Sequence, residues 1–561
     1  YKHMQPNKDA IQHVFTIETL ADPYTPTTIK QALSCDDKEL WKKSAIAEVN
    51  NFLKRKSWNF IPKATVQALR RKLIGVKWVF KVKHEPDYSL RYKSRVVSKG
   101  YMQIPGIDYN EKFSPVAQAS SVKVVLALVL FLYWECELVD IEAAFLEGKL
   151  KTKTYLQMPP GMVELGFMTQ EEFDANCIEL QGGMYGNVDA ALLYFTRFKE
   201  FATSKDGLAI DQSKSDPCLF FRKNELGRTL GVIVVYVDDY VIAGEKEFID
   251  EMKMKLKSEF GVVEDGKLRK LLGVRYEWRD VIDPEKAKVI LNMNDKAAEI
   301  VSSYEKATGL TPRLQKTPGK PGEILGKHDG VAAKHEEYRS ILGKLMFYVT
   351  KISPECSYAC GQLARQMHNP NDTHWEAMGR IVGYLRGKTT HELVIRRPRS
   401  LRIISFGDAS YADCPDTRRS STGDIHTIGG SLVSWRAQKT RFVCLSSAEA
   451  EYVALTEMCK EQKFLTMLLN EIHECDLPSI QYEDNEAAVY LAKNQHVSAR
   501  TKHIDIREHY VREHLQYLGT IRPIKSEHNF ADILTKNVAV HTFDFLGKTI
   551  LNGFEGNENK F

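Results

Sequence analysis

A pair of acids between two apolar runs restricts the fold of this chain more than any other feature. Asp238 and Asp239 separate residues 230–237 from residues 240–243, and both runs are rich in β-branched and aromatic side chains. Such runs favour buried strands, and the short interval between them predicts a hairpin. Carboxylates on buried strands are costly unless a cation compensates their charge. The pair is therefore either an ordinary turn, which tolerates Asp, or a metal-binding tip.

A third acid favours the metal-binding alternative. Asp140 lies at the end of another short apolar run, residues 138–141. Three carboxylates at strand ends suit two Mg²⁺ ions about 3.5–4 Å apart. Ions in that arrangement would activate a 3′-hydroxyl for attack and would stabilise a pyrophosphate leaving group.

Positive charge is concentrated in one predicted hairpin. Residues 78–83 alternate like a strand, residues 86–89 form a turn signal, and residues 91–98 read as the returning strand. Between residues 70 and 99, ten Lys and Arg residues face two acids, a local charge of +8, whereas the whole chain has 78 basic and 73 acidic residues, a net charge of +5. The hairpin is either a phosphate-binding surface or a solvated basic face.

Length and composition indicate several soluble, globular domains. At about 150 residues per domain, the 561 residues predict three to four domains, and 43% hydrophobic with 27% charged residues is ordinary for globular proteins. Helical spacing predicts helices at residues 294–308, 335–352 and 373–387, and strands alternate with helices from residue 401 onward.

Targeting, membrane and disulfide signals are absent from the sequence pattern. The first 20 residues have no apolar core, and the longest apolar run, residues 124–134, is far shorter than the ~20 residues that span a bilayer. Ten scattered cysteines without a CxxC pair predict reduced, buried thiols in an intracellular protein. The initial residue, Tyr1, leads us to expect a piece of a processed or trimmed polyprotein.

A second set of acids occurs in the last third of the chain. Asp408 and Asp484 end predicted strands, Glu449 opens a long predicted helix, and Asp532 lies in a later segment. Four acids on separate elements are suited to two Mg²⁺ ions and two-metal hydrolysis. Glu449 has an alternative explanation, because an acid is also favoured at a helix N-terminus.

The motifs resemble those of a known family. Residues 236–239, Tyr-Val-Asp-Asp, resemble the YxDD box of reverse transcriptases, and residues 140–148 are similar to the first palm motif of copia-type (Pseudoviridae) LTR retrotransposon polymerases. The second acid set resembles the Asp-Glu-Asp-Asp set of ribonuclease H. Further family segments are found at residues 78–81, 91–101, 113–116, 338–346, 429–435 and 500–507.

The resemblance implies a multidomain α+β and α/β fold, with a right-hand polymerase followed by a ribonuclease H-like domain. The implied boundaries are an N-terminal arm at residues 1–36, fingers and palm at 37–293, thumb and connecting helices at 294–398, ribonuclease H at 399–541, and a tail at 542–561.

The resemblance also implies roles for individual residues. The implied catalytic and metal-binding residues are Asp140, Asp238, Asp239, Asp408, Glu449, Asp484 and Asp532. The implied substrate contacts are Lys83, Lys93, Arg95 and Lys99 on phosphates, Tyr236 beside the acids, and Phe145 as a steric gate against a ribose 2′-hydroxyl. For Phe145 a core aromatic is the alternative.

One segment departs from the family pattern. Where the family usually has Tyr-Gly-Leu-Lys-Gln-Ala-Pro-Arg-x-Trp, residues 185–194 replace the Gln by Asp189, the Pro by Ala191 and the Arg by Leu192. Asp189 would either repel a triphosphate or accept a hydrogen bond from a 3′-hydroxyl. We keep it as a nucleotide contact with both alternatives open.

Histidines near the second acid set have competing interpretations. His528 would transfer protons or assist product release, or it is a surface-loop residue. His503, His509 and His514 could suggest zinc, but without a cysteine pair they favour a solvated basic helix face.

The implied function is RNA- and DNA-directed DNA synthesis with cleavage of RNA in RNA/DNA hybrids, using two Mg²⁺ per site with Mn²⁺ as a substitute. The implied partners are an RNA template, a DNA primer, hybrid duplex, deoxynucleoside triphosphates, a tRNA primer, the integrase and Gag pieces of the same polyprotein, and a second copy of the chain, with no membrane. The implied location is intracellular, in a cytoplasmic virus-like particle or the nucleus. The alternative from another class is a domesticated or structural nucleic-acid-binding subunit with reduced catalysis.

Overall fold

The computed structural model describes most of the chain in two compact units. The described residues are 24–84, 89–141, 144–146, 148–280, 283, 285–327, 334–388, 391–474, 477–493 and 505–553. One unit combines Tyr1–Pro115 with Ala143–Glu200, and the other combines Val116–Glu142 with Phe201–Phe561. The domain boundaries expected from the resemblance stay predictions.

Helices and strands alternate along the described chain. The helices are α1 Ile29–Ala32, α2 Lys38–Lys54, α3 Lys63–Ala68, α4 Ala119–Leu132, α5 Gln170–Ala175, α6 Ala190–Thr203, α7 Lys246–Phe260, α8 Asn294–Thr308, α9 His335–Ile352, α10 Ser357–Arg365, α11 Asp372–Gly387, α12 Ser447–Ile472, α13 Glu486–Lys493, α14 Asp505–Tyr517 and α15 Val540–Asn552. The strands are β1 Trp58–Pro62, β2 Val76–His84, β3 Leu90–Ser98, β4 Glu135–Ile141, β5 Lys149–Leu156, β6 Asn176–Gly182, β7 Asp211–Gln212, β8 Leu219–Lys223, β9 Thr229–Tyr236, β10 Asp239–Gly244, β11 Val262–Lys267, β12 Lys270–Leu271, β13 Val274–Arg279, β14 Lys288–Asn292, β15 Glu392–Arg396, β16 Ile403–Ser410, β17 Ser421–Ile428, β18 Ser431–Lys439, β19 Ser479–Glu483 and β20 Gly519–Pro523.

The first unit contains the basic hairpin and a three-stranded sheet. The hairpin pairs β2 with β3, and the sheet has the order β1-β6-β5. Trp41 of α2 is fully buried, and its ring lies 5.3 Å from the ring of Phe80 and 4.7 Å from that of Tyr92. Because side chains alternate across a strand, this aromatic packing occupies one face of the hairpin and leaves the other to its lysines and arginines.

The second unit begins with an antiparallel sheet around a buried helix. Its strand order is β11-β4-β10-β9-β8-β7. Helix α4 is apolar on nearly every side and buried from Ser120 to Leu130, as expected of a core helix. Asp216 anchors its first turn, accepting hydrogen bonds from the Ser121 hydroxyl at 2.5 Å and from the Gln118 backbone at 3.2 Å.

A four-stranded sheet and a five-stranded sheet follow in the same unit. The first has the order β12-β13-β14-β15, and the second has the order β18-β17-β16-β19-β20. In the second sheet, β16 is antiparallel to β17 and parallel to β19, while the long helix α12 contacts β16 and β17. A mixed sheet packed against a long helix, beside the antiparallel sheets of the same chain, confirms the expected multidomain α+β and α/β class.

Periodic segments were predicted better than edge strands. The observed bounds of α8 and α9 agree with the sequence-based ones. Residues 425–435, whose sequence predicts strand with a turn at Gly429 and Gly430, belong to β17 and β18, and that turn joins the two strands. The short strands β7 and β12 carry too little periodicity to be recognised.

The described cysteines are free thiols and most of them are buried, as the sequence predicts. Eight of the described cysteines are buried, Cys35 is half-buried, and these nine are free thiols. Among the described helices, none combines the length and hydropathy that crossing a bilayer requires.

Candidate functional site

The hairpin tip in the second unit carries backbone strain. Strand β9 ends at Tyr236 and β10 begins at Asp239, so the turn consists of Val237 and Asp238 rather than the two aspartates. Val237 has φ +58°, a left-handed conformation that is unfavourable for a β-branched residue. Strain of this kind is found where the surrounding structure holds a functional group in place.

Strand pairing places Asp140 beside the tip. Asp239 lies directly opposite Asp140 on β4 and opposite Tyr236 on β9, so these three side chains share one face of the sheet. The Ile141 backbone N–H donates a hydrogen bond of 3.0 Å to the Asp238 carbonyl, which fixes the turn against the end of β4. Directly opposite residues have Cβ atoms about 4.5–5.5 Å apart. Three acids and a tyrosine thus occupy one end of this sheet.

A second group of acids gathers at the five-stranded sheet. Asp408 lies on β16, Asp484 follows the parallel neighbour β19, and Asp532 lies in a 3₁₀ turn at Phe530–Leu534. Their carboxylate oxygens lie within 4.8 Å of one another. The Asn529 amide connects them to the sheet, donating to the Gly407 carbonyl at 2.8 Å and to Asp484 Oδ1 at 3.2 Å.

The glutamate predicted for this group has a different role. Glu449 occupies the third position of α12, where its backbone N–H donates to the Ser446 hydroxyl at 3.1 Å and its carboxylate accepts from the Leu445 backbone at 2.5 Å. These contacts are typical of a helix-capping residue, because they satisfy donors that the first turn leaves unpaired. The structure does not bring Glu449 into the group of carboxylates, so we correct this assignment.

Two acids that sequence reasoning missed take that place. Oxygens of Glu451, Glu483 and Asp484 lie within 4.8 Å of one another. Glu451 is two positions beyond Glu449 on the same helix, and Glu483 is the last residue of β19. The sequence contains a feature that distinguishes the two glutamates. Ser446-x-x-Glu449 has the spacing of a capping box, so Glu449 has a role at the helix N-terminus and Glu451 is the acid available to the carboxylate group.

Burial disfavours the charged form of several carboxylates in this group and raises their pKa values. Desolvation, followed by the charges of Asp408 and Asp484, raises the pKa of Glu451 to about 9. Desolvation and Asp408 raise the pKa of Asp532 to about 8, and desolvation also raises that of Asp408. Lys536 supplies a compensating charge at 3.0 Å from Asp532 and 3.8 Å from Asp408. The remaining repulsion is the condition that a divalent cation relieves.

The first unit presents a row of basic side chains on the free face of its hairpin. Lys81 lies opposite Lys93, and Lys83 lies opposite Arg91. Like charges directly opposite each other are destabilising unless an anion compensates them. Arg95 and Lys99 are half-buried further along the same strand and just beyond its end. The face is therefore suited to a polyanion such as a phosphate backbone.

The other predicted contacts of this unit differ in their surroundings. Phe145 is half-buried in the 3₁₀ turn Ala144–Leu146, and its ring lies 5.6 Å from that of Tyr185. Asp189 immediately precedes α6, is buried, and has a carboxylate oxygen without a hydrogen-bond partner. Burial raises the pKa of Asp189 and so favours its neutral form. Its role as a nucleotide contact stays a prediction.

The histidines do not form a zinc site among the described residues. His514 is buried, lies 2.8 Å from Gln462 and from Gln481, and has its pKa lowered to about 4 by burial, so its assignment to a solvated face was wrong. His509 is exposed, and His503 lies outside the described residues. His528 is half-buried, 3.6 Å from Glu527, and its proton-transfer role stays a prediction.

Comparisons with known proteins agree with the motifs. Residues 62–308 match the family described as "Reverse transcriptase (RNA-dependent DNA polymerase)". The chain is 32% identical over 538 residues to the retrovirus-related Pol polyprotein from transposon TNT 1-94 of Nicotiana tabacum, and 30% identical over 538 residues to that from transposon RE2 of Arabidopsis thaliana. The matches cover 94% and 95% of this chain but 39% and 35% of those proteins.

A solved structure is also similar. A foamy viral protease–reverse transcriptase in complex with double-stranded DNA matches with a TM-score of 0.46 and 13% identity, over 86% of this chain and 70% of that one. The chain spans less than two fifths of the length of the two plant relatives.

The raised pKa values predict a stability that depends on pH and on divalent cations. Folding raises the pKa of Glu451 from 4.5 and of Asp532 from 3.8, so without cations the contribution of these two groups to the free energy of unfolding is greatest below pH 4 and falls as pH rises toward 8–9. Each titrating group contributes about 1 kcal/mol per pH unit within its window. Mg²⁺ should therefore raise the melting temperature more at pH 8.5 than at pH 6.

Thermal unfolding in Mg²⁺ and in EDTA across this pH range tests the prediction. Glu451→Gln should reduce the pH dependence of the EDTA curves, whereas Glu449→Gln should retain it. An Mg²⁺ effect of equal size at pH 6 and pH 8.5 would contradict the assignment of these acids to a cation site.

Proposed function

We propose that the chain carries two activities, because residues 62–308 match the reverse transcriptase family and 94% of the chain is similar to a retrovirus-related Pol polyprotein of a transposon. The first is RNA- and DNA-directed DNA synthesis, and the second is cleavage of the RNA strand in RNA/DNA hybrids. The observation that carries the proposal is the presence of two separate groups of acids on two different sheets.

The donor sets fit divalent cations, with Mg²⁺ as the physiological ion and Mn²⁺ as a substitute. All the candidate ligands are carboxylates, which hard cations prefer. Asp140, Asp238 and Asp239 would hold ions for synthesis. For cleavage the ligands would be Asp408, Glu451, Asp484 and Asp532. When bound, such ions activate the attacking oxygen and stabilise the leaving oxygen.

The protein's own groups would bind the substrates of the two activities. For synthesis, Tyr236 shares a sheet face with Asp140 and Asp239 and would support the primer end beside them. Lys83, Lys93, Arg95 and Lys99 would bind triphosphate and template phosphates, because cationic donors make strong bonds to phosphate oxygens. For cleavage, Lys536 would neutralise Asp408 and Asp532 until a cation replaces it.

The partners follow from these activities and from the relatives. They are an RNA template, a DNA primer, hybrid duplex and deoxynucleoside triphosphates. As the portion of a Pol polyprotein, the chain would also meet a tRNA primer, integrase and Gag pieces, or a second copy of itself, inside an intracellular virus-like particle. Primer extension on poly(rA) with Mg²⁺, alongside cleavage of a labelled hybrid, tests the proposal directly.

A structural nucleic-acid-binding subunit is the second candidate, and Asp189 is the observation that favours it. A buried acid replaces the amide that the family usually places near the nucleotide sugar. Salt-dependent binding of a primer–template without extension or cleavage would establish this alternative.

Separate acid groups predict separable activities. Asp239→Asn should lower primer extension by about a hundredfold or more, the scale for losing a group that stabilises transition-state charge, while hybrid cleavage persists. Asp484→Asn should have the reverse effect. Both rates are measured on the same preparations, and loss of both activities in either variant would contradict the two-site assignment.

The correction at α12 predicts unequal effects of two neighbouring glutamates. Glu451→Gln should lower hybrid cleavage by about a hundredfold. Glu449→Gln should lower the free energy of unfolding by about 0.3–1 kcal/mol, because it removes a negative charge that stabilises the N-terminus of the helix. The rate of hybrid cleavage should stay close to that of the wild type. Equal cleavage by the two variants would contradict this distinction, and a larger loss in Glu449→Gln would return the metal-ligand role to Glu449.

The position of Phe145 predicts a sugar-selection phenotype. Phe145→Ala should raise ribonucleotide incorporation relative to deoxyribonucleotide incorporation, because it removes bulk from the side of the nucleotide where the 2′-hydroxyl lies. Single-nucleotide incorporation with matched dNTP and rNTP measures the ratio, and Phe145→Tyr is the matched control that keeps the ring. An unchanged ratio in the alanine variant would make Phe145 a core aromatic.

A further inference from the structure

A short turn at residues 183–187 joins two groups to which the proposed function assigns nucleotide contacts. The Tyr185 carbonyl accepts a hydrogen bond of 2.8 Å from the Ser98 backbone at the end of β3. The Gly183 backbone donates one of 2.7 Å to the Gly148 carbonyl, just beyond the turn that carries Phe145. The turn is therefore held on one side by the strand of Arg95 and on the other by the segment of Phe145.

Two glycines allow this close approach. A Cβ at Gly183 would lie 2.1 Å from the Phe145 carbonyl oxygen. A Cβ at Gly186, which has φ +87°, would lie 2.3 Å from the Ser98 carbonyl oxygen. Both contacts are with backbone, so no side-chain movement could relieve them. The turn is locked between its two neighbours, and the ring between these glycines has a fixed position.

The Tyr185 ring contacts both functional side chains. The Arg95 guanidinium carbon lies 4.5 Å from the centre of the ring, and the Phe145 ring meets it edge-on at 5.6 Å with an interplanar angle of 65°. A cation held over an aromatic face is attracted by the ring's quadrupole, and edge-on packing fixes the plane of the second ring.

The Tyr185 ring packs against the Arg95 guanidinium, and the charge of Glu48 also acts on Arg95. The Arg95 Nε atom is buried and makes no hydrogen bond. Contact with the ring therefore restricts the plane of the guanidinium, as a hydrogen bond at Nε would. A guanidinium held in plane presents its terminal N–H groups as a fork that matches phosphate geometry.

We infer that Tyr185 is a positioning residue that orients Arg95 toward a nucleotide triphosphate and Phe145 toward the sugar of the same nucleotide. The inference rests on the proposed function of those two residues and adds to it their coupling through one ring. Loss of the ring should affect nucleotide binding and sugar discrimination together, because Tyr185 contacts both Arg95 and Phe145.

The experiment compares Tyr185→Leu with Tyr185→Phe in the full chain. Single-nucleotide incorporation yields KM and kcat for dNTP and the ratio of dNTP to rNTP incorporation. Tyr185→Leu should raise KM by about threefold to tenfold, the range for losing a partly desolvated cation–π contact, with a much smaller change in kcat and a lower ratio. Tyr185→Phe keeps the ring and should restore both quantities. Tyr185→Met repeats the test if the leucine variant is unfolded.

A double-mutant cycle separates coupling from general damage. If Tyr185 acts through Arg95, adding Tyr185→Leu to Arg95→Gln should raise KM little beyond the single Arg95 change. Adding it to Phe145→Ala should likewise leave the sugar ratio near that of Phe145→Ala alone. Hybrid cleavage, which uses other residues, should stay at the wild-type rate in every variant.

The outcomes distinguish this inference from the proposed function. Absence of primer extension by the wild-type chain overturns both. Effects of Arg95→Gln and Phe145→Ala without an effect of Tyr185→Leu overturn the inference and leave the proposed function intact. Additive KM effects in the cycle, a fall in kcat alone, or an equal fall in hybrid cleavage would each make Tyr185 a structural residue and overturn the inference.

Discussion

Repulsion between carboxylates held at the ends of buried strands is the constraint on which the second unit depends. Strand pairing sets Asp239 against Asp140, and the neighbouring ends of β16 and β19 carry Asp408 and Asp484. The unit tolerates this arrangement by placing Lys536 beside Asp408 and Asp532 and by raising the pKa values of the most buried acids. Such a site is poised for cations because it is incompletely compensated without them.

In the first unit the unfavourable interaction is repulsion between positive charges. Its hairpin buries aromatic side chains against α2 on one face and aligns lysines and arginines on the other, with Lys81 opposite Lys93. A net charge of +5 for the whole chain is thus a near cancellation between clustered acids and clustered bases. The ligands proposed for the two clusters have the opposite sign: cations for the acids and phosphates for the bases.

Sequence reasoning identified acids next to predicted strands, but it could not assign residues whose role depends on contacts with distant parts of the chain. Asp140, Asp238 and Asp239 were singled out because carboxylates beside buried strands are costly unless a cation compensates their charge. Glu449 was predicted as the metal ligand instead of Glu451, although both are acids near the start of the same helix. Which of the two faces the other carboxylates depends on the side of α12 that packs on the sheet. His514 was placed on a solvated face because the glutamines that bond it are distant in sequence.

The sequence by itself predicted an order of domains, indicated a resemblance to one family and singled out most of the candidate acids, since these predictions depend on motif spacing and periodicity along the chain. The tertiary structure decided which oxygens meet. It selected Glu451, added Glu483, moved the hairpin turn to Val237 and Asp238, and placed Tyr185 between Arg95 and Phe145. The physical reason is that cation sites and ring contacts depend on distances of a few ångströms between distant residues, which strand register and helix packing establish.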